Sequence, residues 1–405
     1  MYKTFALRYF KAKKTTNAIN IISWVSVVAI AVGAAALVLV LSVFNGFESL
    51  VKSLYSSFYA DIKISPAAGK TLFISPDQVN AIATNNSIAA FTKVVEEKAA
   101  VINGDYQTIV SMKGVDENYG KVTGVPGKIV RGKFDLGTDE NPYAILGSGV
   151  EGLLGVNSAA SIYQLTVYLP KKAVQSNDPI ASLPQGNVLP VGTFAIQQDF
   201  DNKYIITNLQ FMKRQMGWQE NEFSGIEIKL KDGVSPQNVK EVLKKIFNTS
   251  FKVEDRYEQN KTLYTVMRVE KWVIFGILSL ILIVAAFNMI GALTMLVLEK
   301  KKDVQVLQAM GADRSFIRKV FLSEGVLLAT VGAFSGMLLA VILCLLQQQF
   351  KFIPLQGNSF VIDYYPVKIL PTDLLIIAST IFLVAIIASW FPATKAANQP
   401  FELKV

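Results

Sequence analysis

The chain has 405 residues, 51% of them hydrophobic, with a mean hydropathy of +0.37 and a net charge of +9. It contains no histidine and a single cysteine, Cys344. This composition excludes histidine-based acid–base catalysis, Cys/His metal clusters and an internal disulfide. Hydropathy this high is unusual for a soluble protein and predicts membrane-spanning segments joined to a folded part.

The first twenty residues predict a cytoplasmic amphipathic helix that lies on the inner leaflet of a membrane. Apolar residues recur there at helical spacing, and basic residues fill much of the rest; the apolar ones are Tyr2, Phe5, Ala6, Tyr9 and Phe10. Lysines beside such a face sit at the level of the phospholipid head groups. A disordered basic tail is the alternative.

Four uncharged runs exceed the roughly 20 residues that a helix needs to cross a bilayer. These runs are Thr15–Phe47, Trp272–Leu298, Gly325–Phe350 and Leu374–Thr394. The first is too long for the apolar region of a signal peptide, and no obvious small-residue cleavage site follows it, so we interpret it as a retained helix. We place the four spans at residues 21–46, 271–298, 320–350 and 373–394.

The segment between the first two spans, residues 47–270, predicts an α+β domain with a stalk. Strand alternation appears in "ADIKIS", "YQLTVYLP" and "GIEIKL", and Asn103-Gly104 is a favoured two-residue hairpin turn. "SPDQVNAIA" and "SPQNVKEVLKKIF" each begin a helix with serine as N-cap and proline next. An apolar stripe follows in the second helix, made of Val239, Val242, Leu243 and Ile246.

Two other stretches of this segment stand out. "KKAVQSNDPIASLPQGNVLP", residues 171–190, is polar and contains prolines, which predicts a long loop or a protruding hairpin; such loops are often functional, and a plain surface excursion is the alternative. In "KTLYTVMRVEKW", Leu263, Val266 and Met267 recur at helical spacing. A helix is therefore expected to leave the membrane as a stalk, with an ordinary juxtamembrane turn as the alternative.

Polar and small residues within the spans predict helix contacts. Asn288 lies in the middle of the second span, where an amide needs a partner on another helix. Gly332 and Gly336 form a GxxxG pair in the third span, which allows two helices to approach closely.

The connection "LEKKKDVQVLQAMGADRSFIRKVF", within residues 299–319 and their flanks, predicts a short helix, a corner and a second helix. Over Glu299–Met310 the apolar face holds Val304, Leu307 and Met310. Gly311 suits the left-handed position that ends a helix, and Asp313 can cap the next one. Such a helix fits a groove on a partner, although a helical loop lying on the membrane is the alternative.

The basic residues indicate the orientation in the membrane. Five precede the first span, six lie between the second and third, and two follow the fourth. With the five acidic residues of these segments they account for +8 of the net charge of +9. The positive-inside rule therefore places both termini and the 299–319 connection in the cytoplasm, with the large domain and the 351–372 loop outside. The charge thus reflects topology, and a nucleic-acid partner is not expected.

Two short stretches resemble phosphate-binding loops, but neither fits the full motif. "AAGKT" at 67–71 has Ile64, and "GVPGK" at 124–128 has Val122, where the motif requires glycine. No catalytic constellation can be argued from spacing, so we expect neither an active site nor a nucleotide, cofactor or metal bound by this chain.

Several segments carry a resemblance to a known family. "LEKKKDVQVLQAMGADRSFIRKVFLSEG" looks like the coupling segment of ABC permeases with four spans and a large outer domain. "ALRYFKAKK…SVFNGFE" and "VEKWVIFGILSLILIVAAFNMI" resemble the first and second spans of the lipoprotein-releasing (LolC/LolE) permeases, within the FtsX- and MacB-like superfamily. "LPVGTF" and "SGIEIKL" resemble strands of that family, whereas residues 66–190 match it loosely.

The resemblance implies an inner-membrane permease that extracts acylated lipoproteins and passes them to a periplasmic carrier. A separate ATPase subunit would bind ATP and Mg²⁺ and press on the coupling helix, and a second permease chain would flank the cavity. The implied coupling residues are Glu299, Lys300, Lys301, Asp303, Val304, Leu307, Met310 and Gly311. The implied lipoprotein or interhelix positions are Asn45, Phe47, Asn288, Gly332 and Gly336. The implied carrier-binding positions are Pro170, Pro179, Pro184 and Gln185.

The fold expected overall is a membrane protein with four transmembrane α-helices and a large α+β periplasmic domain between the first and second spans. LolC-like, LolE-like and homodimeric subtypes remain open. The main alternative function is mechanical transmission to an efflux pump or periplasmic enzyme without lipid transport. An anchored sensor would need a cytoplasmic signalling domain, and the cytoplasmic segments, residues 299–319 and the tail 395–405 among them, are too short for one.

Overall fold

The structure, a computed structural model, describes residues 17–171, 184–247, 250–355 and 362–399, and side chains from Ile21 onward. The helix predicted over residues 1–20 therefore lies mostly outside the described residues, which begin at position 17. The α-helices are α1 (Asn17–Phe58), α2 (Pro76–Ala83), α3 (Tyr119–Val122), α4 (Ser148–Leu153), α5 (Gln198–Asp201), α6 (Leu209–Met216), α7 (Pro236–Ile246), α8 (Arg256–Gln259), α9 (Lys261–Glu299), α10 (Lys301–Ala309), α11 (Arg314–Phe350) and α12 (Pro371–Ala397).

The strands all fall between α1 and α8. They are β1 (Ile62–Pro66), β2 (Leu72–Phe73), β3 (Ile88–Asn103), β4 (Tyr106–Val115), β5 (Ile129–Gly132), β6 (Tyr143–Gly147), β7 (Leu165–Tyr168), β8 (Gln185–Phe194), β9 (Tyr204–Asn208), β10 (Glu222–Phe223), β11 (Gly225–Leu230) and β12 (Phe251–Asp255). Contacts divide the chain into two compact parts. We call residues 51–264 the sheet unit, and residues 17–50, 265–355 and 362–399 the helical unit.

A mixed sheet organises the sheet unit. Its order is β12–β1–β11–β3–β4–β9–β6–β8–β5, with β7 pairing with β3 and β8. The β4–β9 and β6–β8 pairs are parallel, and the other pairs are antiparallel. Alternate residues of β1, Ile62 and Ile64, are fully buried, as the period of two predicts. This arrangement confirms the predicted α+β class.

Local sequence signals explain several elements of the sheet unit. Ser75 and Gln78 form a reciprocal capping box at the start of α2, with bonds of 3.3 and 3.0 Å. The predicted hairpin forms, but Asn103 pairs with Tyr106, so the turn is Gly104-Asp105, one residue later than predicted. The Asn103 side chain donates to the Leu154 carbonyl at 2.8 Å, which holds Asn103 in the strand.

The helix predicted after Ser235 is α7, with Ser235 at the N-cap and Pro236 next, as predicted; the serine side chain makes no cap bond. One detail of the predicted apolar stripe was wrong. Val239 and Leu243 are buried in the core, whereas Val242 is 46% exposed. Val239, Leu243 and the partly buried Ile246 pack into the core, and Val242 lies at the edge of that face.

The last turn of α1 belongs to the sheet unit and is held there by aromatic rings. Phe58 is 1% exposed, and its ring centroid lies 4.4 Å from that of Phe200 and 4.6 Å from that of Tyr204. The Tyr55 hydroxyl donates to the Asp199 carboxylate at 2.7 Å. Offset rings at these separations contribute beyond their buried area, so this turn is fixed firmly to the sheet.

A buried ion pair lies beside the same turn. Lys113 Nζ is 2.7 Å from Glu227 Oε1, and both side chains are 2% exposed. The ammonium also lies 4.9 Å from the ring centroid of Phe58 and 5.1 Å from that of Tyr119. Two charges removed from water in this way compensate each other, so the loss of either one alone leaves the other buried and uncompensated.

We therefore expect Lys113→Met to destabilise the protein strongly. Loss of the lysine leaves the Glu227 charge buried without compensation, which costs about 3–5 kcal/mol of unfolding free energy. The double variant Lys113→Met/Glu227→Leu is expected to recover most of that loss. Thermal unfolding of the full chain in detergent measures both; a double variant as unstable as the single one would contradict this view of the pair.

Four long helices form the helical unit. Among the described residues, α1, α9, α11 and α12 are each long and apolar enough to cross a membrane, in agreement with the four predicted spans. They share one core in which small residues of α11 and α12 lie among larger ones of α1 and α9. Helix α9 begins at Lys261, so the helix predicted to continue beyond the second span is present.

Candidate functional site

The connection between α9 and α11 contains the short helix α10, whose boundaries the structure defines. Helix α9 ends at Glu299, Lys300 occupies the N-cap of α10, and α10 ends at Ala309. The sequence had predicted that Glu299 begins the short helix; instead, Glu299 ends the preceding helix. Lys300 Nζ lies 3.3 Å from the Asp303 carboxylate, an i,i+3 pair across the first turn.

The corner after α10 is the one that the sequence predicted. Gly311 has φ +91°, and its N–H donates to the Gln308 carbonyl at 3.0 Å. The Ala312 N–H donates to the Leu307 carbonyl at 2.9 Å, which completes a Schellman motif. Asp313 then accepts from the Phe316 N–H at 2.9 Å and caps α11. The short helix is thus held at a fixed angle to α11.

The predicted apolar face of α10 is divided by the fold. Val304 is 1% exposed and packs in the core of the helical unit, whereas Met310 is 79% exposed. Leu307 lies half-buried between them, and Val306, which the sequence analysis had not singled out, is 59% exposed. Val304 therefore fixes the helix to the bundle, while Val306 and Met310 form an outward apolar pair.

The GxxxG pair of α11 makes its contact within the chain. A β-carbon on Gly336 would lie 2.1 Å from the Ala31 carbonyl oxygen, and one on Gly332 would lie 2.7 Å from that of Val27. Both atoms belong to the backbone of α1. The two glycines thus allow α11 and α1 to touch backbone to backbone, and they are buried in that contact.

A polar cluster joins three helices of the helical unit. Asn45 of α1, 3% exposed, donates to Asp373 Oδ2 of α12 at 2.7 Å and accepts from Lys271 Nζ of α9 at 2.9 Å. Lys271 Nζ also lies 3.1 and 3.0 Å from the two Asp373 oxygens. We call these three residues the polar cluster. A charge-assisted network of this kind fixes the mutual positions of three helices.

The rest of the Asn-Gly-Phe-Glu stretch contacts the segment before α12. A β-carbon on Gly46 would lie 2.1 Å from the Pro366 carbonyl oxygen, so only glycine fits there. The Phe47 ring meets the Tyr365 ring edge-on at 6.0 Å between centroids. The Lys368 N–H donates to the Ser42 carbonyl at 2.8 Å. Asn45 and Phe47 thus act within the chain as packing residues of the helical unit.

Asn288 has a different environment. It is exposed on the surface of α9, in a face that includes Val284 and Phe287, each 64% exposed. The membrane-spanning window of α9 is 22% buried, compared with 50% for α1. A single copy of the chain thus leaves a broad apolar face around an amide, and the prediction that Asn288 faces another helix remains a prediction.

We expect Asp373→Asn to weaken the helical unit. The change leaves the Lys271 ammonium, whose side chain is 27% exposed, without its carboxylate. Loss of one partner of a charged hydrogen bond costs about 1–3 kcal/mol. The matched control is Lys271→Gln/Asp373→Asn, which removes both charges and should melt at a higher temperature than Asp373→Asn alone. Equal melting of the two variants in detergent would contradict the view that the unpaired Lys271 ammonium is what destabilises Asp373→Asn.

The predicted loop near residue 180 begins and ends on paired strands. Tyr168 of β7 pairs with Gln185 of β8, and the Leu169 N–H donates to the Pro184 carbonyl at 3.5 Å. Pro170 is exposed at the start of the loop. Pro179 lies outside the described residues. The strands on either side are therefore paired as in a hairpin, but residues 185–190, which were predicted to belong to the loop, form part of β8.

Two residues of the polar cluster, Lys271 and Asp373, were missed from the sequence. Each is a charge at the edge of a span, where charges are ordinary, and only the fold brings them together. Among the described residues, no group of three or more His, Cys, Asp or Glu side chains is placed to hold a metal ion.

Nearly the whole chain is similar to known protein families and to individual known proteins. Residues 23–246 match the family model of the MacB-like periplasmic core domain, and residues 275–401 match that of the FtsX-like permease C-terminal. The lipoprotein-releasing system transmembrane protein LolC of Xylella fastidiosa is 27% identical over 408 residues, covering 98% of this chain and 96% of that protein.

A second similar protein and one solved structure were also found. The corresponding LolE protein of Haemophilus influenzae is 24% identical, covering 98% of this chain and 97% of its own length. The crystal structure of the periplasmic region of MacB from Actinobacillus actinomycetemcomitans aligns with 53% of this chain and 98% of its own, at 15% identity and a TM-score of 0.36.

Proposed function

Because the chain belongs to the LolC/LolE permease family, within the FtsX- and MacB-like superfamily, we propose that it extracts acylated lipoproteins from the inner membrane. In this proposal it is the permease subunit of an ABC transporter and passes the lipoprotein to a periplasmic carrier. The observation that carries the proposal is the likeness to LolC over 98% of the chain, which includes both units. The chain is a multi-pass inner-membrane protein with a periplasmic domain.

The work of extraction comes from a separate ATPase subunit, which binds the ATP and Mg²⁺. This chain offers no phosphate-binding loop, since both candidate stretches lack the required glycine. The ATPase docks on α10, where Val306 and Met310 form an apolar pair beside the charges of Lys301 and Asp303. An amphipathic helix with apolar anchors and a charged rim is a common means of docking into a groove.

Capping makes α10 suitable for transmitting force. The Schellman corner at Gly311 and the Asp313 cap fix its angle to α11, and Val304 anchors it in the helical core. A push on Met310 would thus move α11 and the core as one body. Both termini and α10 are cytoplasmic in this proposal, as the distribution of basic residues predicts.

A second permease chain completes the assembly. The exposed face of α9 around Asn288 is where we place that chain or the lipoprotein, because an amide in hydrocarbon needs a polar partner. Extraction must also shelter the acyl chains, since each exposed CH₂ costs about 0.8 kcal/mol. The segment between Tyr168 and Gln185 is our candidate contact for the carrier.

Reconstitution tests this function against mechanical transmission without lipid transport. The permease and its co-purified ATPase are placed in proteoliposomes with an acylated lipoprotein, and its release to soluble carrier is measured. We expect release only with hydrolysable ATP and carrier together. ATP turnover without release, under conditions in which a LolC-containing complex releases its lipoprotein, would favour the alternative.

A further inference from the structure

The two connections between the sheet unit and the rest of the chain converge at one edge of the sheet. The chain enters the unit on α1 and leaves it on α9, at residues 51 and 264. Strand β1 follows α1, strand β12 precedes α8 and α9, and these two strands pair with Ile62 opposite Asp255. The sheet itself therefore brings the last turn of α1 close to the first turn of α9.

An ion pair continues this strand pairing beyond the sheet. Asp61 and Arg256 are the next residues along the two strands, and Arg256 Nη2 donates to Asp61 Oδ1 at 2.6 Å. The other carboxylate oxygen accepts from the Leu230 N–H at 2.9 Å and lies 3.3 Å from Lys229 Nζ. Asp61 is thus fixed to β11 and also binds Arg256. We call the Asp61–Arg256 pair the junction clamp.

Arg256 belongs to a short helix that is joined firmly to the start of α9. It is the first residue of α8, whose capping box uses Asp255 and Glu258 with bonds of 2.8 and 3.1 Å. The Tyr257 ring stacks on the Tyr264 ring of α9, with 5.0 Å between the centroids. The position of Arg256 is therefore tied to that of the first turn of α9.

Two weaker contacts accompany the junction clamp. The Gln259 side chain donates to the Ala60 carbonyl at 3.3 Å, and Lys52 Nζ of α1 lies 5.7 Å from the ring centroid of Tyr264. A hydrogen bond between two charged groups is about twice as strong as a neutral one. The junction clamp is therefore stronger than the neutral Gln259–Ala60 bond beside it.

The junction clamp contributes to alignment more than to folding. Its Arg256 and Asp61 side chains are 28% and 15% exposed, and ion pairs that water can reach add little to stability. Paired residues along the whole of β1 and β12 hold this edge of the sheet together without it. The junction clamp lies beyond the end of that pairing, where it sets the direction in which α1 and α9 leave the sheet.

We propose that Arg256 is a positioning residue for lipoprotein release. Through the junction clamp it holds the sheet-unit ends of α1 and α9 together, so that a displacement of the two helices turns the sheet unit as one body. Without the junction clamp the two helices move separately, and part of each displacement is lost before it reaches the sheet. The proposal rests on the function proposed above and adds a residue that sets how much lipoprotein each ATP releases.

Reconstituted complexes that carry Arg256→Gln test the proposal. Lipoprotein released to soluble carrier and ATP hydrolysed are measured in the same proteoliposomes, and their ratio gives the coupling. We expect the ratio to fall about fivefold, as for other residues that couple distant sites, while ATP hydrolysis stays within about twofold. Arg256→Lys should restore most of the ratio, because the junction clamp uses a single bond that an ammonium can also make.

Lys70→Gln is the matched control. It removes another ion pair of the sheet unit, in which Lys70 Nζ lies 2.8 Å from Glu97 Oε2 and the lysine side chain is 73% exposed. We expect this variant to leave the ratio of release to hydrolysis unchanged. Arg256→Gln should also melt within about 3 °C of the unchanged chain in detergent, since its pair is partly exposed.

The outcomes separate this proposal from the function itself. An unchanged ratio in Arg256→Gln would overturn the proposal and leave the function in place. So would an equal fall in Lys70→Gln. A fall in Arg256→Gln with a matching loss of ATP turnover and melting temperature would also overturn it, because Arg256 would then only stabilise the fold. If the unchanged complex releases no lipoprotein, the proposed function fails instead.

Discussion

Replacing Met310 by aspartate is expected to abolish association of the ATPase subunit while leaving the permease inserted and folded. Met310 is 79% exposed after the end of α10 and makes no contribution to the helical core. The substitution removes a buried apolar anchor from the docking interface and places a charge there, which costs about 2–4 kcal/mol of binding free energy. Each 1.4 kcal/mol weakens binding about tenfold, so the complex should dissociate during purification.

The matched control for this variant is Gln305→Asp. It adds the same charge to α10 at a half-buried position that lies about 100° around the helix from Val306. Co-purification of the ATPase with tagged permease, together with ATP turnover by the recovered complex, measures the effect. We expect Gln305→Asp to retain the ATPase. Retention by both variants, or loss from both, would remove the assignment of Met310 as an anchor.

Gly336→Val is expected to have the largest effect on the stability of the helical unit. The added β-carbon would lie 2.1 Å from the Ala31 carbonyl oxygen, so α1 and α11 must separate. Backbone atoms cannot yield as a flexible side chain can, and membrane helices depend on close packing for association. Overpacking of this kind costs about 3 kcal/mol, which lowers the melting temperature by about 10 °C.

A second glycine of the spans provides the control. Apart from its own helix backbone and its chain neighbours, Gly276 of α9 has no atom within 4 Å of the position that a β-carbon would take. Gly276→Val should therefore change the melting temperature in detergent by no more than about 2 °C. If both variants melt together, the contact between α1 and α11 is not what stabilises the bundle.

Much of the helical unit could be predicted because its signals are local. A span is recognised from its own length and lack of charge, and the end of α10 from one glycine followed by one aspartate. The capping box at Ser75 and the strand alternation of β1 are equally local. Each depends on residues a few positions apart, so no knowledge of the tertiary fold was needed.

The remaining features depend on contacts between distant residues. The apolar stripe of α10 did not show which of its residues would be buried. In the structure Val304 packs in the core of the helical unit, whereas Met310 is exposed. Gly332 and Gly336 allow a close contact, but their sequence does not name α1 as the partner. Asn45, Lys271 and Asp373 come from three helices, and the parallel β4–β9 pair joins strands about ninety residues apart.

The distribution of basic residues leads us to propose that α10 lies on the cytoplasmic side of the membrane and the sheet unit on the periplasmic side. Sided cysteine labelling tests it: in a Cys344→Ser background, single cysteines replace Met310 and Tyr163, both well exposed. With a membrane-impermeant maleimide, we predict that intact spheroplasts label position 163 and that position 310 labels only after permeabilisation. Labelling of position 310 in intact spheroplasts would contradict the account.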